Sequence, residues 1–204
     1  MNTEQFIIDK YKVDTTKEPP YHLRISRWKT LPYIFLDLGY KVGAEIGVET
    51  GRFSGCLLWK IPNLKLYSID CWKTSEGYRN QLKDRTKLFE KRAHERLDVF
   101  GERSVIIKKY SMDAVKDFED ESLDFVFIDA NHDFEHCTED IREWSKKVRK
   151  GGIVSGHDFR TEDCGFEMID VERAVTQWVK DNNIKIWFVG EGREQSNIWL
   201  YVKE

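Results

Sequence analysis

Two glycines lie four positions apart after an apolar segment, in the run AEIGVETGRFS at positions 44–54. Glycine lets a backbone turn tightly and approach a ligand without a Cβ in the way. Free N–H groups at the start of a following helix favour a polar or anionic ligand group. The run is neither G-x-G-x-x-G nor the phosphate-binding G-x-x-x-x-G-K-[ST] pattern. Because Glu45 and Glu49 flank the first glycine, their carboxylates disfavour a pyrophosphate and favour a cationic or hydroxyl-rich ligand.

A second candidate binding residue, Asp70, ends the segment LYSID, 23 positions after Gly47. In doubly wound folds an acidic residue at this place holds a ribose diol through hydrogen bonds. An acidic residue after a strand also occurs by chance. Together with the glycine run, however, Asp70 predicts an adenosine-type ligand without a diphosphate.

Four further polar residues follow two apolar segments. Asp129 ends the nearly continuous apolar run in LDFVFIDA, His132 comes three positions later, and His157 and Asp158 end the run GGIVSGHD. The carboxyl ends of strands in an open α/β sheet form the ligand crevice, so we expect these four side chains to meet. Asp129 must be paired, bound to a ligand or exposed, because an isolated buried carboxylate is costly.

The elements that position these residues alternate along the chain. Strands are predicted at 43–48, 65–70, 104–108, 123–129, 152–156, 185–189 and 197–203, and helices at 54–60, 78–100, 112–118, 134–149 and 169–182. This alternation predicts an α/β fold: a doubly wound, seven-stranded, mostly parallel sheet with helices on both faces. Residues 190–196 are too few for a helical crossover, so the C-terminal strand is expected to be antiparallel, in a hairpin.

Residues 1–38 form a separate part of the predicted organisation, an N-terminal helical or irregular cap before the domain of residues 39–204. This stretch is interrupted by Pro19, Pro20 and Pro32. The cap is either a packing extension or a lid over the site. The charged helix at 78–100 is interpreted as a solvated face, with a basic docking surface as the alternative.

Composition limits the class of protein. The chain has 204 residues, 40% of them hydrophobic, with a formal net charge of −3, which is typical of a globular domain and gives no reason to expect a nucleic-acid partner. No apolar run approaches the ~20 residues that span a bilayer. The N-terminal residues lack a secretory pattern, and the four cysteines form no C-x-x-C pair. We therefore expect reduced thiols, a cytoplasmic location and no membrane partner, and homo-oligomerisation is left open.

The motifs E-x-G-x-x-x-G-x-x-S, S-I-D-C-W, F-I-D-A-N-H-D-F and G-G-I-V-S-G-H-D-F together resemble those of Rossmann-like S-adenosylmethionine-dependent methyltransferases. They are most similar to the small-molecule branch of macrocin-type and catechol-type O-methyltransferases. The resemblance covers about residues 43–203 in order and spacing. It implies S-adenosylmethionine as cofactor and a small-molecule hydroxyl, on a sugar or phenol, as methyl acceptor. The cofactor's sulfonium cation accounts for the acidic glycine run.

The resemblance also implies the cofactor contacts. Glu45, Gly47, Gly51 and Ser54 would contact its amino-acid end, Asp70 its ribose, and Ser111, Met112 and Asp113 its adenine, with Asp129 also at the cofactor. Trp72 would pack on the adenine or belong to the core. Asp113 has an equally good interpretation as a helix N-cap.

Catalytic and metal roles follow from the same resemblance. His132 would take the proton of the acceptor hydroxyl, assisted by Asp129, and activity should decline below a pH of about 6.5 as the ring protonates. Asp129, His157 and Asp158 take the places of ligands for a divalent cation, magnesium or manganese. An aspartate is usual where this chain has His157, so imidazole favours a transition metal or a site without metal. The alternative is that His132 and His157 only hydrogen-bond the loops.

Two other functions remain open from the sequence. One is a catalytically silent cofactor-binding or scaffold domain, which would not need the Asp129, His132 and Asp158 set. The other is a nicotinamide-dependent oxidoreductase, against which the missing G-x-G-x-x-G and the terminal hairpin count. Acceptor specificity is expected from residues 1–38, 74–85 and 160–168.

Overall fold

The computed structural model describes residues 2–73, 85–165, 168–192 and 196–204. The strands of its central sheet are β1 (Tyr21–Leu23), β2 (Val42–Ile46), β3 (Lys65–Asp70), β4 (Ser104–Lys108), β5 (Leu123–Ile128), β6 (Val148–Gly156), β9 (Trp187–Gly190) and β10 (Ile198–Val202). A small hairpin pairs β7 (Thr161–Asp163) with β8 (Met168–Asp170). The α-helices are α1 (Thr3–Tyr11), α2 (Leu31–Asp37), α3 (Arg52–Lys60), α4 (Thr86–Leu97), α5 (Ser111–Ala114), α6 (Phe134–Lys147) and α7 (Val171–Asp181).

The strand order in the central sheet is β1-β9-β10-β6-β5-β2-β3-β4. Strand β2 is parallel to both β3 and β5, while β10 is antiparallel to its neighbours β9 and β6. The predicted α/β fold, with a mostly parallel sheet and an antiparallel C-terminal strand, is confirmed. The chain winds outward from β2 through β3 to β4, and then from β5 through β6 on the other side. The switch in direction therefore lies between β2 and β5.

The number of strands differs from the prediction of seven, because residues expected in the cap supply an eighth. Strand β1 pairs in parallel with β9, and Tyr21 lies opposite Phe188. Strand β1 has only three residues and directly follows Pro19 and Pro20. An alternating apolar pattern cannot be identified over so short a segment. The β7–β8 hairpin was likewise not predicted: β7 falls in the loop expected at 160–168, and β8 includes the first two residues of the helix expected at 169–182, which begins at Val171 instead.

Helix and strand boundaries differ from the predictions at a few places. Helix α4 begins at Thr86, and the predicted helical residues 78–84 lie outside the described residues. Strand β6 begins at Val148 instead of residue 152, because Val148 pairs with Leu123 before a register shift in the ladder. Such irregular pairing depends on the neighbouring strand and is invisible in a single segment.

The sheet separates two apolar cores. One contains buried residues of α1, α2, α3 and α4, and the other contains buried residues of α5, α6 and α7. Strand β5 contributes to both, since Phe125 and Phe127 face the first core while Val126 and Ile128 face the second. This two-sided burial is the reason why LDFVFI has no polar alternation. Among the described residues, no helix combines the length and apolar character that crossing a membrane requires.

Phe125 is the packing centre of the first core. Its ring is fully buried and stacks on Phe35 of α2 with centroids 4.0 Å apart. A Cβ on Gly43 of β2 would lie 2.2 Å from the Phe125 ring. The glycine therefore leaves the space that the ring occupies. The aromatic ring therefore connects the N-terminal helix α2 to the centre of the sheet.

Replacing Phe125 with alanine is expected to lower the free energy of unfolding by about 3–5 kcal/mol, because the truncation removes buried area and leaves a cavity. Val99→Ala is the matched control, since Val99 is 77% exposed and should change stability by less than about 0.5 kcal/mol. Urea denaturation followed by circular dichroism measures both. A Phe125→Ala loss no larger than that of the control would contradict this account of the core.

Candidate functional site

A cleft of about 440 Å³ opens at the carboxyl ends of the central strands. Its position next to β2 and β5 is the switch point where open α/β sheets bind ligands, and its volume suits a small molecule or cofactor. The residues along its wall are Ile46, Gly47, Ile69, Asp70, Cys71, Lys73, Lys109, Tyr110, Ser111, Met112, Asp129, Ala130, Asn131, His136, Glu139 and Asp140. Of the predicted cofactor contacts, the wall includes Gly47, Asp70, Ser111, Met112 and Asp129.

The glycine run forms the turn between β2 and α3. Gly47 has a φ of +89°, and a Cβ there would lie 2.0 Å from the carbonyl oxygen of Asp129. Gly51 has a φ of +73°, and its Cβ would lie 3.1 Å from the Cα of Ala93 in α4. Both glycines are therefore required by close backbone approach. Gly47 lies at the cleft, whereas Gly51 packs against α4.

Glu45 and Ser54 lie behind the cleft wall in a buried polar network. The Ser54 hydroxyl donates a hydrogen bond to the Glu45 carboxyl, and the hydroxyl oxygens of Ser54 and Ser68 are 2.7 Å apart. Burial raises the pKa of Glu45 to about 8, against the opposing effect of the Ser54 hydrogen bond. Glu45 is therefore mostly uncharged near neutral pH, and the negative charge expected from it beside the glycines is reduced.

Asp70 lies at the cleft and also holds the glycine turn. Its carboxylate accepts hydrogen bonds from the backbone N–H groups of Val48 (3.0 Å), Glu49 (2.8 Å) and Trp72 (2.7 Å). Burial raises the pKa of Asp70, and these three N–H groups oppose that rise. Asp70 thus fixes the turn that begins α3, besides presenting a carboxylate at the end of β3.

Besides Glu45, Gly51 and Ser54, two more predicted cofactor contacts are absent from the cleft wall. Trp72 is 6% exposed, packs in the first core and donates its indole N–H to the carbonyl of Glu49 at 2.7 Å. This placement favours the core interpretation of Trp72. Asp113 is exposed and pairs with Lys116 at 3.0 Å. The N-cap of α5 is Tyr110, so the alternative interpretation of Asp113 as the N-cap was wrong.

Sequence reasoning missed Asp140, a buried carboxyl on the cleft wall. Ser111 donates a hydrogen bond to Asp140, and the indole N–H of Trp144 donates to Ser111 at 2.8 Å. Burial raises the pKa of Asp140 to about 7, with the Ser111 hydrogen bond opposing the rise. A signal was present, because positions 137, 140, 141 and 144 form the buried face of α6 and an acidic residue on such a face is unusual.

Asp129, His132, His157 and Asp158 meet at one edge of the cleft, as predicted. Nε2 of His132 lies 3.5 Å from Oδ1 of Asp129 and 3.3 Å from Oδ2 of Asp158. Nδ1 of His157 lies 3.1 Å from the same Asp158 oxygen and 3.9 Å from Oδ1 of Asp129. Asp129 is on the cleft wall, whereas His132 is buried and is not one of the wall residues.

The charge state of Asp158 follows from its neighbours. Burial opposes its ionisation, but the adjacent imidazoles of His157 and His132 hold the pKa of the carboxyl well below its ordinary value. The carboxylate is therefore ionised at neutral pH, with both imidazoles beside it. Asp158 also adopts a φ of +51°, which few non-glycine residues do.

Arg27 is a further member of this cluster that sequence reasoning missed. It belongs to the N-terminal segment, and its guanidinium forms a salt bridge with Oδ2 of Asp129 across 102 positions of sequence. Arg160 lies on the other side of the cluster, with its guanidinium 3.6 Å from Asp158. No local pattern could have joined Arg27 to Asp129, because the contact exists only in the folded chain.

The sequence predicts a divalent cation at this cluster. Ligand atoms of Asp129, His132 and Asp158 lie within 4.8 Å of one another, so His132 stands closer to such a set than the expected His157. However, Arg27 is bonded to the Asp129 carboxylate and Arg160 lies beside Asp158. Two guanidinium charges already balance the two carboxylates, and a divalent cation would be repelled by both. The residues present do not fit a resident divalent cation.

The comparison with protein families agrees with this architecture. A family model described as a methyltransferase domain matches residues 44–159, more than half of the chain. The chain therefore belongs to the methyltransferase-domain family. No curated protein matches the sequence.

Solved structures show the same fold at low sequence identity. An O-methyltransferase from Bacillus cereus in complex with SAH has a TM-score of 0.59 and 14% identity, over 100% of this chain and 91% of that one. Cofactor-bound Rv0187 from MTB has a TM-score of 0.61 and 14% identity, over 98% and 87%. An O-methyltransferase family protein from Burkholderia thailandensis has a TM-score of 0.59 and 15% identity, over 87% of this chain. This chain spans 54% of the Burkholderia protein.

Stability should fall as pH rises through the window set by Glu45. The native state keeps a proton on this carboxyl up to a pH of about 8, whereas the unfolded state releases it near 4.5, so proton release favours unfolding across this range. Glu45→Gln keeps an acceptor for Ser54 and removes the titration. As the pH rises from about 5 to 8, the free energy of unfolding of the wild type should fall by roughly 1–3 kcal/mol more than that of the variant.

Chemical denaturation at several pH values measures this difference. Glu95→Gln is the matched control, since the exposed Glu95 pairs only loosely with Lys91 at 3.7 Å, and it should leave the wild-type slope unchanged. Parallel pH profiles for Glu45→Gln and the wild type would show that the Glu45 carboxyl is not protonated in the folded protein.

Proposed function

We propose that this protein is an S-adenosylmethionine-dependent methyltransferase that methylates a hydroxyl of a small molecule such as a sugar or phenol. One observation carries the proposal: Nε2 of His132 faces the carboxylates of Asp129 and Asp158, and Asp129 lines the same cleft as Gly47 and Asp70. A candidate nucleoside site and a candidate base are therefore joined through Asp129 in a chain of the methyltransferase-domain family.

The residues on the cleft wall fit the cofactor. Gly47 lies on the wall without a side chain, and Asp70 presents a carboxylate at the end of β3, where a ribose diol is bound in such folds. Ser111 and Met112 begin α5, just after β4, on the same wall, where the family resemblance implies the adenine. The bound cofactor supplies an electrophilic methyl group on a sulfonium that leaves as a neutral thioether.

The chain's own contribution is to position the acceptor and remove its proton. We propose that Nε2 of His132 accepts the hydroxyl proton once the acceptor oxygen comes within hydrogen-bond distance. Asp129 and Asp158, 3.5 Å and 3.3 Å away, stabilise the imidazolium that results, because opposite charges at this distance attract. Asp129 thereby assists proton removal by His132, and it also lies on the cleft wall.

A catalytically silent binding domain is the alternative from another class. The cluster of two carboxylates, two histidines and two arginines argues against it, because buried charges are costly and a scaffold gains nothing from them. Membership of the methyltransferase-domain family and the antiparallel strand β10 leave little support for a nicotinamide-dependent oxidoreductase.

Asp70→Ala is expected to weaken binding of S-adenosylmethionine at least tenfold, since it removes charge-assisted hydrogen bonds of about 1.5–3 kcal/mol each. Isothermal titration calorimetry measures the affinity. Asp120→Ala, an exposed aspartate paired with Lys147, is the control and should bind as the wild type does.

The Asp70 substitution also removes the acceptor of three backbone N–H groups. Asp70→Asn, which keeps an acceptor oxygen for the turn, should therefore be measured beside it, and thermal denaturation should confirm that each variant is folded. Wild-type affinity in both folded variants would refute the role of Asp70 in binding the cofactor.

His132→Ala should lower kcat by about 10²–10⁴-fold while leaving the affinity for the cofactor nearly intact, because it removes the base but no part of the cofactor cleft. Turnover is measured as transfer of a labelled methyl group to a panel of hydroxylated acceptors. His94→Ala, which removes an exposed histidine on α4, should retain full turnover. Full turnover in His132→Ala would return His132 to a structural role, and no turnover with any wild-type preparation would favour the silent domain.

A further inference from the structure

Arg27 reaches the candidate site from outside the α/β domain. It follows β1 in the N-terminal segment, and its guanidinium bonds to Oδ2 of Asp129. The two side chains are only 18% and 19% exposed. A pair so shielded from water interacts more strongly than one on the surface. The salt bridge is therefore a built part of the cluster.

Aromatic rings hold the Arg27 guanidinium in place. Its central carbon lies 4.8 Å from the ring centroid of Trp28 and 5.7 Å from that of Phe53. Phe53 in α3 packs in turn on Phe127 of β5, with centroids 4.5 Å apart. A planar guanidinium stacks on aromatic faces in a way that an ammonium does not. The guanidinium charge is thus held next to α3, which follows the glycine turn, and near β5, which precedes Asp129.

The position of this charge decides what else can bind Asp129. Arg27 bonds to Oδ2, while Oδ1 faces Nε2 of His132 at 3.5 Å. A divalent cation bound by Asp129, His132 and Asp158 would lie close to the guanidinium and would also take the nitrogen that accepts the proton. The salt bridge and the proposed proton transfer therefore both compete with a metal for the same atoms.

We propose that Arg27 supplies the positive charge that a divalent cation would otherwise bring to this cluster, so that methyl transfer proceeds without a bound metal. Arg27 is a positioning residue: it holds Asp129 with Oδ1 towards His132. The part of this inference that concerns methyl transfer rests on the proposed function. The part that concerns cation binding rests on Arg27, Asp129 and Asp158 alone. The N-terminal segment is then part of the active site through one side chain.

The test is to measure binding of Mn²⁺ to the full-length protein by electron paramagnetic resonance. The wild type should bind Mn²⁺ no more tightly than millimolar concentrations. Arg27→Met removes the charge but keeps an apolar stem against Trp28 and Phe53, and it should bind Mn²⁺ at least tenfold more tightly. Arg27→Lys keeps a positive charge but loses the guanidinium stacking, so it should gain less Mn²⁺ affinity than Arg27→Met.

The control variant is Arg24→Gln, which removes an exposed arginine three residues earlier and should leave Mn²⁺ affinity unchanged. Adding Asp129→Asn to Arg27→Met should abolish the gain, since a ligand is lost. A merely structural role of Arg27 would not create a cation site. If Arg27→Met does not fold, Arg27→Gln replaces it, and the wild-type titration needs no variant.

Micromolar binding of Mn²⁺ by the wild type would overturn the proposal, and so would unchanged affinity in folded Arg27→Met or Arg27→Gln. Turnover of the wild type should also be undiminished by EDTA, and turnover that EDTA abolishes and Mn²⁺ restores would equally refute it. The Mn²⁺ titration uses neither cofactor nor acceptor. Failure of the proposed methyltransferase function, seen by calorimetry with S-adenosylmethionine, is therefore distinguishable from failure of this inference.

Discussion

The close approach of Gly47 to Asp129 is the constraint on which the site depends. The N–H of Asp129 donates to the carbonyl of Ile46 at 2.7 Å, and a Cβ on Gly47 would lie 2.0 Å from the Asp129 carbonyl oxygen. Two loops from adjacent parallel strands can meet at this distance only if one of them lacks a side chain. The contact places the proposed cofactor turn and the candidate base cluster side by side.

Buried carboxyls around this contact are stabilised in three different ways. Glu45 keeps a proton and a serine hydrogen bond, Asp70 accepts three backbone N–H groups, and Asp129 pairs with a guanidinium. Each arrangement avoids an isolated buried charge. As a result the cleft is less negative than its acidic residues suggest, and charge is concentrated where Asp129 and Asp158 face His132.

The N-terminal segment contributes to both stability and site. Strand β1 extends the sheet beside β9, and Phe35 of α2 stacks on Phe125. Arg27 lies between these two elements and reaches Asp129. Because packing fixes the segment on both sides of Arg27, the guanidinium is held where it can act on the cluster, and the segment is more than a covering of the domain.

The residues alone were enough to predict most strands and helices in chain order and one crevice for the candidate site. Apolar runs such as LDFVFI are long enough to identify buried strands, and a parallel sheet brings their carboxyl ends together, so Asp70, Asp129 and Asp158 could be assigned to one crevice. Other features depend on contacts between distant parts of the chain: Arg27 and Asp129 are 102 positions apart, and β1 is a strand through its pairing with β9. Glu45 and Ser54 were expected at the cofactor but lie in the interior. Their burial and pairing depend on neighbouring elements, which no local pattern of residues encodes.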